Sequence, residues 1–286
     1  MSSITLKSPA KINLYLRVLN KRKDGFHNIE TIFERINLFD TIKLKKNALN
    51  EIRFFCEHPD VPKNNSNLCF KAANLLKKEF SIDKGVDITL IKRIPVAAGL
   101  GGGSSNAAFV LMGLNNLWHL RLSKKILLRL AKELGSDVAF FVSQKSFAVG
   151  RGRGERIFCL SGIKPLWHIL VVPYQRLSTP RVYHKLNLKL TKNKVNVNIL
   201  IHALKKNSAS LLSKLVMNDL EEAASKCLPG LLSIKEKLKG LGVRSPAISG
   251  SGSAIFSLVN SRKEAQLLIK RLKNKLAADF FAVKTY

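Results

Sequence analysis

The chain has 286 residues, of which 46% are hydrophobic and 24% charged, so it is long enough for one large or two ordinary domains with a substantial core. Four widely spaced cysteines and six histidines without metal-ligand spacing argue against a disulfide framework and a structural zinc site. Lysines and arginines interrupt the N-terminal segment, so it does not resemble a signal peptide and a cytoplasmic location is expected.

The net charge of +30 is unevenly distributed, because the 63 residues 156–218 contain no aspartate or glutamate. A strongly positive surface attracts polyanions, which include nucleic acids and phosphate-bearing small molecules. The lysines are scattered and lack interleaved aromatic residues, which favours an ordinary solvated surface over a nucleic-acid interface. A protein whose main role is nucleic-acid binding therefore stays an alternative of a different class.

The first predicted element is a strand over residues 8–18, in which apolar and polar residues alternate. The apolar face consists of Ile12, Leu14, Leu16 and Val18, and the polar face of Lys11, Asn13, Tyr15 and Arg17. Lys11 and Asn13 therefore point the same way, roughly 7 Å apart along the strand. This is either an outer strand with a solvated polar face or a strand that presents two functional side chains.

Residues 21–27 contain the hairpin signal Asp24-Gly25, which is followed by Phe26 and His27. These two side chains are either packing residues or a planar face and a hydrogen-bonding edge for a flat ring.

A glycine-rich segment follows the strand predicted over residues 86–91 and precedes a helix predicted over Ala107–Trp118. Four of the chain's seventeen glycines occupy residues 99–103, directly before Ser104 and Ser105. Glycines let backbone N–H groups approach a ligand closely, and a helix N-terminus adds about half a positive charge, which together favour phosphate binding. The alternative is a flexible loop whose Ser or Asn caps the helix.

This segment matches neither of the two common nucleotide-binding patterns. It has no lysine of the P-loop type and lacks the last glycine of the dinucleotide fingerprint. Residues 94–120 carry no charged side chain, so any cation at the phosphates must come from elsewhere. Gly, Ser and Asn in the middle of this stretch exclude a membrane span.

The next predicted helix, over residues 123–134, ends at Gly135, and Asp137 then precedes an apolar run. Asp137 is either a helix N-cap or a general base for an alcohol, which a nearby lysine such as Lys11 would keep ionised. Residues 248–256 form a second Gly/Ser turn, which is either a simple tight turn or a second wall of a phosphate site.

In order and spacing these segments resemble the GHMP kinases, the family of galactokinase and of homoserine, mevalonate and phosphomevalonate kinases. The resemblance spans nearly the whole chain, with motifs at residues 9–27, 99–108, 134–141, 218–221 and 249–252. It implies a two-domain α+β GHMP kinase fold with the active site in the interdomain cleft. The expected domains are an N-terminal one over residues 1–156 and a C-terminal one over residues 157–286.

Within the family, the segment over residues 9–27 is similar to that of the kinases of the non-mevalonate isoprenoid precursor pathway. This resemblance implies that ATP phosphorylates the 2-hydroxyl of 4-diphosphocytidyl-2-C-methyl-D-erythritol, giving the 2-phosphate and ADP. It implies Asp137 as the base and Lys11 as its partner near the accepting hydroxyl. Another GHMP kinase with a different small alcohol as substrate is the alternative within the family.

The same resemblance implies how the two substrates are held. Asn13 would position the sugar alcohol, while the cytosine would be held by Phe26, His27, Tyr183 and Thr179. Asn67 would contact the adenine, and Ser105 would be a ligand of Mg²⁺. The loop residues expected to hold the ATP phosphates are Pro95, Val96, Ala97, Ala98, Gly99, Leu100, Gly101, Gly102, Gly103, Ser104 and Ser105.

Three positions depart from the pattern of the related kinases. Phe26 replaces the usual Tyr, Ala139 the usual Pro, and Ala97 lies near a usual Gly. None of these changes removes a charged group, so they bear on substrate affinity more than on reaction type. The expected partner is a small molecule with a cytidine diphosphate group. Neither a membrane nor a nucleic acid is expected as a functional partner, and the chain is expected to be a monomer or a weak homodimer.

Overall fold

The computed structural model describes residues 2–188, 196–207 and 209–286, and within these ranges the chain forms eleven strands and ten helices. The strands are β1 (Ser3–Lys21), β2 (His27–Asn47), β3 (Ile52–Phe55), β4 (Gly85–Ile91), β5 (Phe147–Gly152), β6 (Arg156–Leu160), β7 (Trp167–Pro173), β8 (Met217–Asn218), β9 (Ala247–Ile248), β10 (Ile255–Val259) and β11 (Ala278–Lys284). The helices are α1 (Leu68–Glu79), α2 (Gly102–Leu117), α3 (Lys124–Leu134), α4 (Val138–Ser143), α5 (Thr179–His184), α6 (Val197–Lys206), α7 (Ala209–Leu215), α8 (Glu221–Cys227), α9 (Gly230–Gly240) and α10 (Arg262–Leu272). The expected α+β class is confirmed.

The chain divides into two compact units, neither of which is continuous in sequence. The first unit contains Met1–Ala10, Leu38–Val96 and Gly101–Lys145, and the second contains Lys11–Asn37, Ala97–Leu100 and Ser146–Tyr286. These units do not coincide with the expected domains 1–156 and 157–286, which stay a prediction about domain organisation.

In the first unit, β4 pairs antiparallel with the second half of β2 and parallel with β3. Helix α2 contacts α1, α3 and α4, and the core of this unit includes the fully buried Trp118, Phe140 and Phe141. Gly113 in the middle of α2 allows a close approach, because a Cβ there would lie 2.6 Å from Leu44 Cδ1 and 2.7 Å from Leu6 Cδ1.

In the second unit, β7 lies between β11 and β10, both antiparallel to it, and β9 extends this four-stranded sheet beyond β10. Strand β5 pairs with the first half of β2 and with β6, and β8 pairs parallel with β1 at Tyr15 and Leu16. The core of this unit combines side chains from β1, the four-stranded sheet, α8, α9 and α10.

Most of the predicted elements are confirmed. Residues 8–18 lie inside β1, residues 86–91 lie inside β4, and α3 begins one residue after Ser123, whose side chain accepts a hydrogen bond from Ile126 N. The turn at residues 21–27 joins β1 to β2 as a hairpin, closed by a hydrogen bond from Arg22 N to Phe26 O. Among the described helices, none is long and apolar enough to cross a bilayer.

Two details of the predicted elements are wrong. Helix α2 begins at Gly102 rather than at Ala107, because glycines with little intrinsic helix propensity form its first turn. The alternative of an outer strand with a solvated polar face is also wrong, because Lys11 and Asn13 are 4% and 2% exposed. Alternation distinguishes the two faces of a strand but does not show what covers each of them.

Candidate active site

The glycine-rich loop and the second Gly/Ser turn pack directly on each other in the second unit. A Cβ on Gly99, whose φ is +77°, would lie 2.1 Å from the carbonyl oxygen of Ser249. Ser249 Oγ donates to Gly99 O at 3.0 Å, and Ala254 N donates to Ala98 O at 3.1 Å. The turn over residues 249–252 therefore fixes the backbone of the loop from one side.

Asn218, in the motif over residues 218–221, holds this turn in place. Its Nδ2 donates to Ile248 O at 2.9 Å and to Gly250 O at 2.7 Å, while its Oδ1 accepts from Leu220 N at 3.0 Å. All three polar contacts are to backbone atoms, so this side chain is a structural support for the turn.

At the other end of the loop, α2 begins without a capping side chain. The residue before its first turn is Gly101 at φ +66°, so the alternative of a Ser or Asn cap is wrong. The first N–H groups of an α-helix have no acceptor within the helix, and Gly101 has no side chain to supply one. The segment therefore has the backbone geometry that suits an anion.

A buried polar network in the first unit supports both ends of this segment. Asp40 Oδ1 accepts from the backbone N–H groups of Arg93 and Ile94 at 2.7 and 2.8 Å. Asp40 Oδ2 accepts from Lys92 Nζ and from Asn106 Nδ2, both at 2.9 Å. Burial lowers the pKa of Lys92, and the neighbouring Asp40 opposes this effect. Asp40 thus joins the residues that follow β4 to the first turns of α2.

Ser105 belongs to the same network. It is fully buried, its Oγ lies 2.7 Å from Ser8 Oγ, and Ser8 Oγ also accepts from Asn106 Nδ2 at 3.1 Å. Within the described residues no group of three or more His, Cys, Asp or Glu side chains is arranged to hold a metal ion. Ser105 therefore has a structural partner, and its role as a Mg²⁺ ligand stays a prediction.

Lys11 and Asn13 lie together on β1 in the second unit, as their spacing predicts. Lys11 Nζ donates to Asn13 Oδ1 at 2.6 Å, and the backbone N–H of Lys11 donates to Leu100 O in the glycine-rich loop at 3.0 Å. A Cβ on Gly250 would lie 3.1 Å from Asn13 Oδ1 and 3.4 Å from Lys11 Nζ. The structure therefore brings the Lys11–Asn13 pair, the loop and the second turn together.

Asp137 lies directly before α4, whose six residues are all buried, and is itself partly exposed. It occupies the N-cap position of α4, as one of the two interpretations predicts, but its side chain makes no capping hydrogen bond to the helix. Asp137 belongs to the first unit, and its pairing with Lys11 stays a prediction.

Three of the predicted ring-binding residues of the second unit, Phe26, His27 and Tyr183, make ring contacts. His27 stacks on Tyr183, with ring centroids 5.2 Å apart and planes inclined by 28°. Phe26, which is 50% exposed, lies under the guanidinium group of Arg153 at 4.8 Å from the ring centroid. Burial, with a smaller contribution from Lys21, lowers the pKa of His27 and favours a neutral imidazole that can both donate and accept a hydrogen bond.

Two further predicted residues have structural partners. Thr179 Oγ1 lies 2.7 Å from Ser251 Oγ, and Thr179 is on the same helix, α5, as Tyr183. Asn67 is the N-cap of α1: its Oδ1 accepts from Cys69 N at 2.8 Å, and its Nδ2 donates to Pro62 O at 2.6 Å. Contact between Asn67 and adenine stays a prediction.

The sequence reasoning missed Asp40, Lys92 and Arg153. Lys92 lies just before the charge-free stretch, and Arg153 belongs to the Gly-Arg-Gly-Arg-Gly run over residues 150–154, so both had a weak local signal. Asp40 is more than fifty residues from the loop in sequence, and no local pattern marks it.

Comparison with known proteins shows the family to which this chain belongs. Residues 67–145 match the GHMP kinases N terminal domain, and residues 200–278 match the GHMP kinases C terminal domain. The chain is 40% identical over 284 residues to the 4-diphosphocytidyl-2-C-methyl-D-erythritol kinase of Geobacillus kaustophilus, a match that covers 98% of this chain and 96% of the relative. The chain belongs to the GHMP kinase family. The 4-diphosphocytidyl-2-C-methyl-D-erythritol kinase of Alkaliphilus metalliredigens is 37% identical, with 95% of this chain and 93% of the relative covered.

Solved structures of GHMP kinases have the same fold. A crystal structure of 4-(cytidine 5'-diphospho)-2C-methyl-D-erythritol kinase matches with a TM-score of 0.83 at 31% identity, covering 99% of this chain and all of the other. Homoserine kinase from Cytophaga hutchinsonii matches with a TM-score of 0.75 at 21% identity, covering 100% of this chain and 95% of the other, and supports the fold alone. Membership of the GHMP kinases confirms that the chain is an ATP-dependent kinase with the N- and C-terminal domains of this family.

Proposed function

We propose that this GHMP kinase transfers the γ-phosphoryl group of ATP to the 2-hydroxyl of 4-diphosphocytidyl-2-C-methyl-D-erythritol. The observation that carries the proposal is the near full-length similarity, at 37–40% identity, to relatives that bear the name of this activity. The Lys11–Asn13 pair beside the loop and the stacked His27–Tyr183 pair supply suitable groups for an alcohol and for a flat ring.

In the proposed reaction, Asp137 accepts the proton of the 2-hydroxyl while the oxygen attacks the γ-phosphorus. The bond between this phosphorus and the β–γ bridging oxygen breaks, so that the products are the 2-phosphate and ADP. Phosphoryl transfer depends mainly on positioning and on charge neutralisation. Lys11 supplies positive charge near the accepting oxygen, and Asn13 orients the sugar alcohol.

ATP enters this scheme as its magnesium complex, so the metal ion is part of the substrate. Residues 95–105 hold the phosphates through backbone N–H groups and the N-terminus of α2. Phe26 and Tyr183 provide ring faces for the cytosine, His27 provides a hydrogen-bonding edge, and Thr179 belongs to the same pocket. The cytoplasmic location, the monomer or weak homodimer and the absence of a nucleic-acid partner stay predictions.

The first test measures ATP consumption with and without 4-diphosphocytidyl-2-C-methyl-D-erythritol, here called the cytidylyl substrate. Homoserine and mevalonate are tested separately as alternative alcohols. Stimulation by the cytidylyl substrate alone supports the proposal. Stimulation by another alcohol, with none by the cytidylyl substrate, would assign the chain to a different member of the family.

Asp137→Asn tests the assignment of the base. This variant keeps the size of the side chain and removes its basicity, so kcat is expected to fall by about 10²–10⁴-fold, the usual contribution of a positioned base. Asp279→Asn, at an exposed position on β11, is the matched control and is expected to keep wild-type kcat. A folded Asp137→Asn enzyme with near-normal turnover would exclude Asp137 as the base.

A further inference from the structure

A buried chain of hydrogen bonds leads from Lys11 into the core of the second unit. Lys11 Nζ donates to Asn13 Oδ1 at 2.6 Å, and Asn13 Nδ2 donates to Thr31 Oγ1 at 2.8 Å. Thr31 Oγ1 lies 2.6 Å from the carbonyl oxygen of Tyr15 and donates to it. Thr31 is fully buried, and it has no part in the function proposed above.

The carbonyl group at the end of this chain sets the direction of every hydrogen bond in it. A carbonyl oxygen can only accept, so the Tyr15 carbonyl requires the Thr31 hydroxyl to donate. The Thr31 oxygen is then left to accept, so it must face the NH₂ group of the Asn13 amide. The amide oxygen of Asn13 is therefore turned to Lys11, whose ammonium group can only donate.

The backbone of Asn13 is fixed independently of this chain. Asn13 N donates to Ser249 Oγ at 3.2 Å, and Ser249 Oγ donates to Gly99 O at 3.0 Å. Loss of the Thr31 hydroxyl would therefore leave the Asn13 main chain in place and act on the orientation of its side-chain amide.

We propose that Thr31 is a positioning residue, which holds the Asn13 amide so that its oxygen faces the Lys11 ammonium. This proposal rests on the proposed function, which assigns Lys11 and Asn13 to the accepting alcohol. Without the Thr31 hydroxyl, the Asn13 amide has two alternatives. If it keeps its orientation, its NH₂ group has lost its buried acceptor, and if it rotates, its NH₂ group faces the Lys11 ammonium, which is also a donor. Either outcome moves the Lys11 ammonium or the Asn13 side chain away from the alcohol.

Thr31→Val is the central variant, because valine keeps the branched shape and loses the hydroxyl. Its kcat is expected to be about 10- to 100-fold below wild type, since a buried polar group loses its partner at the reacting centre. The KM for ATP is expected to stay within about twofold, because the loop contacts of Asn13 run through its backbone. Thr31→Ser, which restores the hydroxyl, is expected to return kcat to within about threefold of wild type.

A matched control separates positioning from stability. Ser257→Ala removes another fully buried hydroxyl of the second unit, which lies on β10 and donates to Arg244 O. Ser257→Ala is expected to lower Tm about as much as Thr31→Val and to keep wild-type kcat. If Thr31→Val lowers Tm and keeps wild-type kcat, the hydroxyl only stabilises the fold and the proposal is wrong. Thr31→Ala takes its place if the valine variant does not fold.

A double-mutant cycle shows whether Thr31 acts through Asn13. If it does, adding Thr31→Val to Asn13→Ala lowers kcat by less than about twofold, far below the product of the two single effects. A kcat of the double variant that falls by the full product of the two single effects would contradict the proposal. A wild-type kcat in Asn13→Ala would contradict it as well.

A measurement on the free enzyme keeps the proposal separate from the identity of the substrate. NMR of protein labelled with ¹⁵N-asparagine reports the Asn13 NH₂ protons, which Asn13→Ala assigns. Slow exchange of one of these protons with solvent is expected in the wild type and in Thr31→Ser, and its loss or a large shift in Thr31→Val. An unchanged Asn13 signal in Thr31→Val overturns the proposal. Failure of the wild type to consume ATP with the cytidylyl substrate overturns only the proposed function.

Discussion

Replacement of Gly99 by alanine tests the packing of the glycine-rich loop on the second Gly/Ser turn. An alanine at φ +77° costs about 1–2 kcal/mol in backbone conformation. Its Cβ would also lie 2.1 Å from Ser249 O and 3.1 Å from Gly252 N, both backbone atoms that cannot rotate away. The turn must therefore move by about an ångström to restore an ordinary contact distance.

That movement would break the hydrogen bonds Ser249 Oγ to Gly99 O and Ala254 N to Ala98 O. At about 0.5–1.5 kcal/mol each, their loss brings the expected destabilisation to roughly 2–5 kcal/mol. Because the loop is proposed to hold the ATP phosphates, the KM for ATP is also expected to rise at least about tenfold.

Gly162→Ala is the matched control for this prediction. Gly162 has a φ of +73°, and no atom lies within 4 Å of the position that a Cβ would take there, so alanine costs only the backbone term. The two variants differ by the two hydrogen bonds, about 1–3 kcal/mol, so Gly99→Ala is expected to unfold about 2–12 °C below Gly162→Ala, and only Gly99→Ala is expected to have a raised KM for ATP. Equal Tm values for the two variants would show that the loop and the turn are not packed as the structure has them.

Two further predictions concern the ring-binding residue Phe26 and the partly buried carboxyl group of Asp219. Phe26→Ala is expected to raise the KM for the cytidylyl substrate and to leave the KM for ATP nearly constant, whereas equal weakening of both in steady-state assays would remove Phe26 from the cytosine site. Burial raises the pKa of Asp219 against the opposing effects of the Val18 N–H group and Arg17, so the ionised carboxylate costs stability at neutral pH. Asp219→Asn, whose side-chain oxygen can still accept from Val18 N, is therefore expected to raise Tm at neutral pH. This gain should disappear in buffer acidic enough to protonate Asp219 in the folded wild type, and a gain that persists there would contradict the assignment.

Local patterns in the sequence predicted the strands and helices that depend on interactions between residues close in sequence. Alternation located β1 and β4, and the N-cap Ser123 located the start of α3. The start of α2 was misplaced because intrinsic propensity argues against glycine in a helix, whereas Gly102 and Gly103 form its first turn. Tertiary packing explains Gly102, since a Cβ there would lie 3.0 Å from Lys92 Nζ and 3.1 Å from Ile94 Cγ2.

Contacts between distant parts of the chain could not be predicted in this way. The spacing of Lys11 and Asn13 showed that they share a face of the strand. It did not show that this face is buried or that Thr31 on β2 accepts a hydrogen bond from Asn13. Similarly, local patterns marked Phe26 and His27 as a pair for one ring, and only the family resemblance added Tyr183. In the structure Tyr183 stacks on His27 and Arg153 lies over the ring of Phe26, each from more than a hundred residues away.

Asp40 shows why such distant residues matter to the candidate site. A loop that binds phosphate through backbone N–H groups works only if its backbone is held in one conformation, and residues 95–105 contain no charged side chain to hold it. The buried carboxylate of Asp40 supplies this support, since it accepts from two backbone N–H groups before the loop and from Asn106 after it. Lys92 lies 2.9 Å from the same carboxylate, so the charge of Asp40 is buried as half of an ion pair. The glycine-rich segment therefore owes its fixed geometry on this side to Asp40, a residue outside the motif.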